Sequence, residues 1–280
     1  MRGVDAAAAS VADSRAERIA TIDPVTPIDR PPGSSVDQEP IDATLTSSLE
    51  SLDKATNYRD WIVELCAPHL RSPLLEVGAG HGTFGAHFAS FGDVTAVEPD
   101  ANAAAVLAQR YAGDERVAVV AGVVADVPVG SGFGSAVMIN VLEHIADDHG
   151  VLRDTFDRLE PGGRLCIWVP SYELLFSRFD KKLGHLRRYR KRQLEADVRS
   201  AGFEVAEARH VNLPGWFSWL IFCRLLRREP TSPTIVSIFD KRIVPAVRWC
   251  ESRVRVPFGQ SVFLVARKPS EELAAVVDQR

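Results

Sequence analysis

Apolar positions Leu45, Leu49, Leu52, Tyr58, Trp61, Ile62 and Leu65 recur at helical spacing and predict a helix within Leu45–Leu70, closed by Pro68 and Pro73. The pattern then changes period. PLLEVGAG is a short apolar run that stops in glycines, and TFGAHFASFG follows it. VTAVEPD is a second such run with Glu98 at its end, and Ala101 to Tyr111 reads as a helix leading to VAVVAG. SAVMINVLEHI is a buried strand entering a loop or helix start. A helix over Gly150–Leu159, a turn at Pro161-Gly162-Gly163 and the strand RLCIWVP complete the series. Unbroken apolar strands alternating with helices of about ten residues predict an α/β, doubly wound, mostly parallel sheet covered on both faces.

Ahead of this region, residues 1–44 read as a disordered N-terminal tail. Pro24, Pro27, Pro31, Pro32 and Pro40 stand there among Ser, Asp and Gly, too polar to offset the entropy of ordering. Residues 45–280 are expected to form the folded domain. Lys and Arg number 33 against 37 Asp and Glu, a net charge of −4, which argues against a nucleic-acid partner recognised through bulk charge. Cys66, Cys166, Cys223 and Cys250 lie far apart, so neither a disulfide framework nor a structural zinc site is expected. No signal peptide is expected, and Arg224 ends the longest apolar stretch, Leu213 to Cys223, too early for a membrane span. A cytoplasmic location is the resulting expectation.

The most informative string is Leu75-Glu76-Val77-Gly78-Ala79-Gly80-His81-Gly82. A strand that ends in glycines and feeds a helix admits a ligand close to its backbone and presents free N–H groups. Such a ligand belongs at the carboxyl ends of the strands. Glu98, 18 residues after Gly80 at the tip of the next strand, is placed to accept both hydroxyls of an adenosine ribose. Residues 80–85 also satisfy G-x-G-x-x-G, which leaves open a dinucleotide or a tight turn with no ligand. Glu76 discriminates, because a carboxylate there repels a pyrophosphate and suits a ligand bearing an ammonium and a sulfonium. The Pro161-Gly162-Gly163 turn points the same way.

At this point the chain resembles the class I S-adenosylmethionine-dependent methyltransferases, over about Asn57 to Lys268. LLEVGAGHG resembles the family's first motif, VTAVEPD its ribose-binding strand, INVLEHI its fourth-strand motif and LEPGGRL the turn before strand five. The resemblance implies S-adenosyl-L-methionine as cofactor and a Rossmann-like, seven-stranded sheet with an antiparallel last strand, for which SVFLVARK is the candidate. It also implies that Glu76, Gly78 and Gly80 line the methionine end, that Glu98 holds the ribose, and that Asn140 belongs to the cofactor-binding set. Tyr58 resembles the aromatic residue that closes over the cofactor, with plain helix packing as the alternative. Gly122-Val123 and Phe133-Gly134 depart from the usual Gly-Asp and Phe-Asp pairs. Asp126 either replaces the missing adenine-side acid or caps a turn.

An alcohol or phenol acceptor needs a base, and histidine titrates in the right range. His144, after strand four, and His185, in DKKLGHLRRYRKRQL, are the candidate catalytic residues. Arg187, Arg188 and Tyr189 are candidates for orienting the substrate, as is Trp216 in the aromatic segment PGWFSWLIF, flanked by Arg224, Arg227 and Arg228. Asn140, Glu143 and His144 resemble the metal set of some quinone O-methyltransferases, but with a single carboxylate no metal is expected. A lid over residues 171–258 is expected before the final strand. The acceptor is expected to be a small or lipid-linked molecule methylated at oxygen, a saccharide hydroxyl first, a quinone or phenol next. A nicotinamide oxidoreductase, a non-catalytic nucleotide-binding module, and a lid that is instead a peripheral membrane contact or a dimer interface remain open.

Overall fold

Strands β1 (Leu74–Val77), β2 (Val94–Glu98), β3 (Val117–Ala121), β4 (Phe133–Ile139), β5 (Leu159–Pro170), β6 (Glu204–Val211) and β7 (Ser261–Arg267) form one sheet in the order β3-β2-β1-β4-β5-β7-β6. The computed structural model describes residues 55–227 and 233–270. The pairs among β1 to β5 are parallel, and β7 runs antiparallel between β5 and β6, as expected for SVFLVARK. Winding reverses between β1 and β4, so a crevice opens at their carboxyl ends.

Helices α1 (Thr56–Cys66), α2 (Gly85–Phe88), α3 (Ala101–Tyr111), α4 (Asp148–Arg158) and α6 (Lys191–Ser200) cover the sheet, and the short α5 (Arg178–Lys182) lies outside it. Successive strand residues face opposite layers. Leu75 and Val77 pack with Leu152 of α4 and Leu194 and Val198 of α6. Leu74 packs with Ile62 of α1, Phe88 of α2 and Leu107 of α3. Both faces are therefore apolar, which is why these strands read as continuous runs rather than alternating ones. Glycines at 162 and 163 fall in an irregularity of the β4–β5 ladder, which resumes at Arg164 opposite Ser135.

The expected helix begins at Thr56 among the described residues; Leu45, Leu49, Leu52 and the 1–44 tail lie outside them. The fourth helix begins at Asp148, two residues earlier than expected, because Asp147 caps it by accepting from the Gly150 N–H at 2.9 Å. The range 171–258 is not a single insertion. It contains α6 and β6, and β6 is the sheet's edge strand, paired with β7. Outside the sheet layers are residues 171–190 and 212–258. The latter include α7 (Leu213–Ser218) with its wider π-type continuation Trp219–Leu225, then α8 (Pro233–Ile238), a π-type turn Phe239–Ile243, and α9 (Val244–Glu251). All four cysteines are free. Among the described residues no helix is long and apolar enough to cross a membrane.

Candidate active site

The chain leaves β1 through left-handed backbone at Gly78 (φ +68°) and Gly80 (φ +55°). A side chain at Gly78 is doubly excluded, since its Cβ would lie 2.7 Å from Val141 Cγ2. The Gly80 N–H donates to Glu98 Oε2 at 2.8 Å, and the Asp100 N–H donates to Oε1 at 3.0 Å. The Glu98 carboxylate is thus clamped between the glycine turn and the start of α3, with lone pairs left for a ligand. Burial raises its pKa against the pull of these two N–H bonds. Glu76 is buried beside it, and its Oε2 has no hydrogen-bond partner. Burial, helped by the charge of Glu98, pushes Glu76 up to about 8. A buried orphan oxygen at a glycine turn calls for a cation such as the ammonium of S-adenosylmethionine, and the clamped Glu98 carboxylate has the chemistry to accept from ribose hydroxyls. The residues fit the group.

Asp126 ends the short turn Val124–Asp126 after β3 and closes it, its Oδ2 accepting from the Val123 N–H at 2.8 Å. Asn140 follows β4 in left-handed conformation (φ +53°), its N–H held by the Trp168 carbonyl at 2.7 Å. Tyr58 sits in an aromatic cluster, edge-on to Trp61 (6.1 Å) and Trp168 (5.8 Å). Packing is therefore part of its role.

His144 and His185 are brought together, their rings 4.7 Å apart at 87°. His185 Nδ1 lies 3.0 Å from Asp180 Oδ1, while Arg188 donates to the same oxygen through Nε at 2.8 Å and lies 2.7 Å from it through Nη2. The other oxygen of Asp180 accepts from the Ser177 N–H (2.8 Å) and hydroxyl (2.7 Å). Burial works to raise Asp180, but His185, Arg188 and Ser177 outweigh it and hold the carboxyl at about 2. Burial first, then the neighbouring His185, lowers His144 to about 3, so its imidazole is neutral at physiological pH. Glu143 is wholly buried and neither oxygen has a partner; burial lifts it to about 7, with His185 and Arg188 opposing. Ligand atoms of Glu143, His144 and His185 lie within 4.8 Å of one another, so among the described residues this set has the composition for a first-row divalent ion. His185, not Asn140, completes it.

Two expected substrate contacts are corrected. Arg188 is 4% exposed, and besides Asp180 its guanidinium reaches the Ser171 carbonyl at 3.3 Å and lies 4.6 Å from the Trp219 ring centre. Every side of it is engaged within the protein, so it positions Asp180. Tyr189 is 1% exposed, its hydroxyl held between Asp148 Oδ2 (2.7 Å) and the Leu142 carbonyl (3.1 Å); it belongs to the core. Arg187 pairs with Asp148 at 2.7 Å. Trp216 is half-buried against Phe217 and Phe258, whereas Trp219 is the aromatic that reaches the histidine cluster, through Arg188. Asp180 escaped the sequence reading, although Ser177-x-x-Asp180 has the spacing of a capping box.

A family profile described as a methyltransferase domain matches residues 51–208. No curated protein matches the chain. Among solved structures, the cyclase SpnF is similar at 21% identity (TM-score 0.51), covering 76% of this chain and 80% of that one. Phosphoethanolamine N-methyltransferase 2 of Haemonchus contortus, in complex with S-adenosyl-L-methionine, is similar at 19% identity (TM-score 0.54), covering 76% of this chain and 53% of that one. The 1,6-didemethyltoxoflavin-N1-methyltransferase of Burkholderia thailandensis, with S-adenosylhomocysteine bound, is similar at 20% identity (TM-score 0.51), covering 88% and 95%. With the profile spanning more than half of the 280 residues, the chain belongs to the class I S-adenosylmethionine-dependent methyltransferases and takes S-adenosyl-L-methionine as its cofactor.

Proposed function

We propose that this enzyme methylates an oxygen of a small or lipid-linked acceptor, a saccharide hydroxyl in the first instance and a quinol or phenol in the second, with His185 as the base. The observation that carries the reading is the Asp180–His185 pair at 3.0 Å, placed beside the loop that follows β4. The cofactor supplies an activated methyl group on a sulfonium, so the protein's remaining tasks are alignment and removal of the acceptor proton. Glu76 takes the ammonium and Glu98 the ribose hydroxyls. Gly78 and Gly80 let the nucleoside approach the backbone, and Asn140 and Tyr58 border the methyl-bearing end. Asp126 is assigned to the adenine side, with its turn-closing bond retained.

Asp180 accepts from Nδ1 of His185, which fixes the tautomer and leaves Nε2 free for the acceptor hydroxyl. Arg188 and Ser177 hold Asp180 in turn. His144, with its pKa lowered to about 3, is too weak a base and serves as a neutral hydrogen-bonding group beside the acceptor. Incubating extracts with the enzyme and an isotopically labelled methyl donor, followed by mass spectrometry, identifies the acceptor by its mass shift. On that acceptor, His185→Ala should lower kcat by about 10²–10⁴-fold with affinity for S-adenosylhomocysteine unchanged. Full turnover in that variant removes the base, and favours a nitrogen acceptor, as in the N-methyltransferases among the similar structures.

A further inference from the structure

The rod Leu213–Leu225 has two unlike sides. Trp219 and Cys223 face inward: Trp219 lies 5.8 Å from Phe179 and 4.6 Å from the Arg188 guanidinium, and Cys223 is 4% exposed. Phe217, Ile221, Phe222, Leu225 and Leu226 recur at four- and five-residue spacing, as a helix that widens to π-type requires for one stripe. All five are exposed, from 42% at Phe222 to 66% at Leu225. Leu174 extends the stripe at 63%, tied to it by the Arg224 Nε bond to the Leu174 carbonyl at 3.3 Å. Scattered surface leucines need no explanation, but a contiguous stripe of this kind does.

The exposed charges on the stripe's own helix are basic, with Glu173 exposed beside Leu174. Arg224 and Arg227 are exposed within the stripe; of the five cations between positions 241 and 255, Arg248 pairs with Glu64 and Arg255 with Glu207. The only acids among the described residues of 212–258 are Asp240 and Glu251, both buried. Asp240 accepts from the Asn57 and Tyr58 N–H groups, and Glu251 from those of Asn212 and Leu213. Among the described residues, an acidic chain has thus placed an apolar stripe with two exposed arginines on one helix. A second copy docking there through a two-fold would oppose arginines to arginines. An anionic bilayer accepts both components, apolar side chains below the headgroups and cations among them.

We propose that the stripe Phe217–Leu226, with Leu174, docks the enzyme on an anionic membrane surface. The inner side of the same rod touches Phe179 and Arg188, and Arg188 shares the Asp180 oxygen with His185, so docking turns the acceptor side of the crevice toward the bilayer. The inference rests on the surface and not on the identity of the acceptor.

The test is co-sedimentation of the full chain with vesicles of phosphatidylcholine alone and with about one-third phosphatidylglycerol. Binding is expected on the anionic vesicles, weak on the neutral ones, and reduced by salt at about 0.5 M. Leu225→Glu should abolish it, and Arg227→Glu should weaken it by at least about fivefold, the effect of one cation at such a surface. Both should keep the wild-type melting temperature and affinity for S-adenosylhomocysteine. Three results overturn the proposal: no binding to either vesicle, binding that Leu225→Glu leaves intact, or a dimer in solution that this variant dissociates. Docked enzyme that methylates no lipid-linked molecule refutes the lipid-linked acceptor alone and leaves the docking in place.

Discussion

Glu76 owes its chemistry to what surrounds it rather than to its own side chain. With a folded pKa of about 8 against an ordinary 4.5, the folded protein holds one more proton than the unfolded chain between those values. Stability of the ligand-free protein therefore falls as pH rises through that window, and no further change from this group follows above about 8. The melting temperature should drop between pH 5 and pH 8 (roughly that interval) and the slope should flatten in Glu76→Gln. If Glu76 takes the cofactor's ammonium, as proposed, binding expels that proton. Calorimetry near neutral pH in buffers of different ionisation enthalpy should register proton release, absent in Glu76→Gln, whose affinity should be weaker by about 1.5–3 kcal/mol. At Gly78, alanine meets both positive φ and Val141, so Gly78→Ala should lose cofactor binding. Adding Val141→Ala relieves the contact but not the backbone, so rescue by titration should be partial. These residues were legible because a strand, a glycine turn and an acid 18 positions later are local pattern. Arg188 and Tyr189 were not. Their sequence proximity to His185 carries no information on side-chain direction, and both point into the protein.

At the scale of elements, α5 has only five residues, too few to be stable alone, and is fastened by Asp180. That carboxylate caps the helix through Ser177, neutralises Arg188 and aims His185, so one substitution tests all three. Asp180→Asn should lower stability by about 3–5 kcal/mol, the cost of leaving a buried partner charge alone, read as a shift in the denaturant midpoint. Its kcat should fall with that of His185→Ala, while affinity for S-adenosylhomocysteine stays near wild type. A loss of stability with kcat intact would confine Asp180 to a structural part. The sequence pattern displayed β1 to β5 because both their faces are covered and apolar residues dominate their inner positions. It hid β6, whose Glu204, Glu207, Arg209 and His210 suit an edge strand and fell within the expected lid. The same blindness stretched the expected lid across α6 and β6.

Across the whole molecule, the acceptor side is assembled from segments that the chain order keeps far apart. The N-terminus of α1 has no cap of its own; Asp240, 183 positions away, accepts from the Asn57 N–H at 3.3 Å and its Nδ2 at 3.0 Å, and from the Tyr58 N–H at 2.9 Å. An Arg248–Glu64 ion pair joins α9 to α1 as well. No periodicity announces such a cap, since its donor and acceptor lie at opposite ends of the domain. The geometry makes residues 233–251 and α1 one mechanical unit, with Tyr58 edge-on to Trp168 at its tip. Asp240→Ala leaves two buried-side N–H groups unmet and should cost about 1–2 kcal/mol, the range for a lost helix cap. Hydrogen exchange should quicken across the first turn of α1 and stay unchanged in β1 to β4. If Tyr58 closes the cofactor crevice, affinity for S-adenosylhomocysteine should fall in Asp240→Ala and Tyr58→Ala alike, and the double variant should be no worse than the weaker single one. If Tyr58 only packs, both variants should lose stability with cofactor affinity intact.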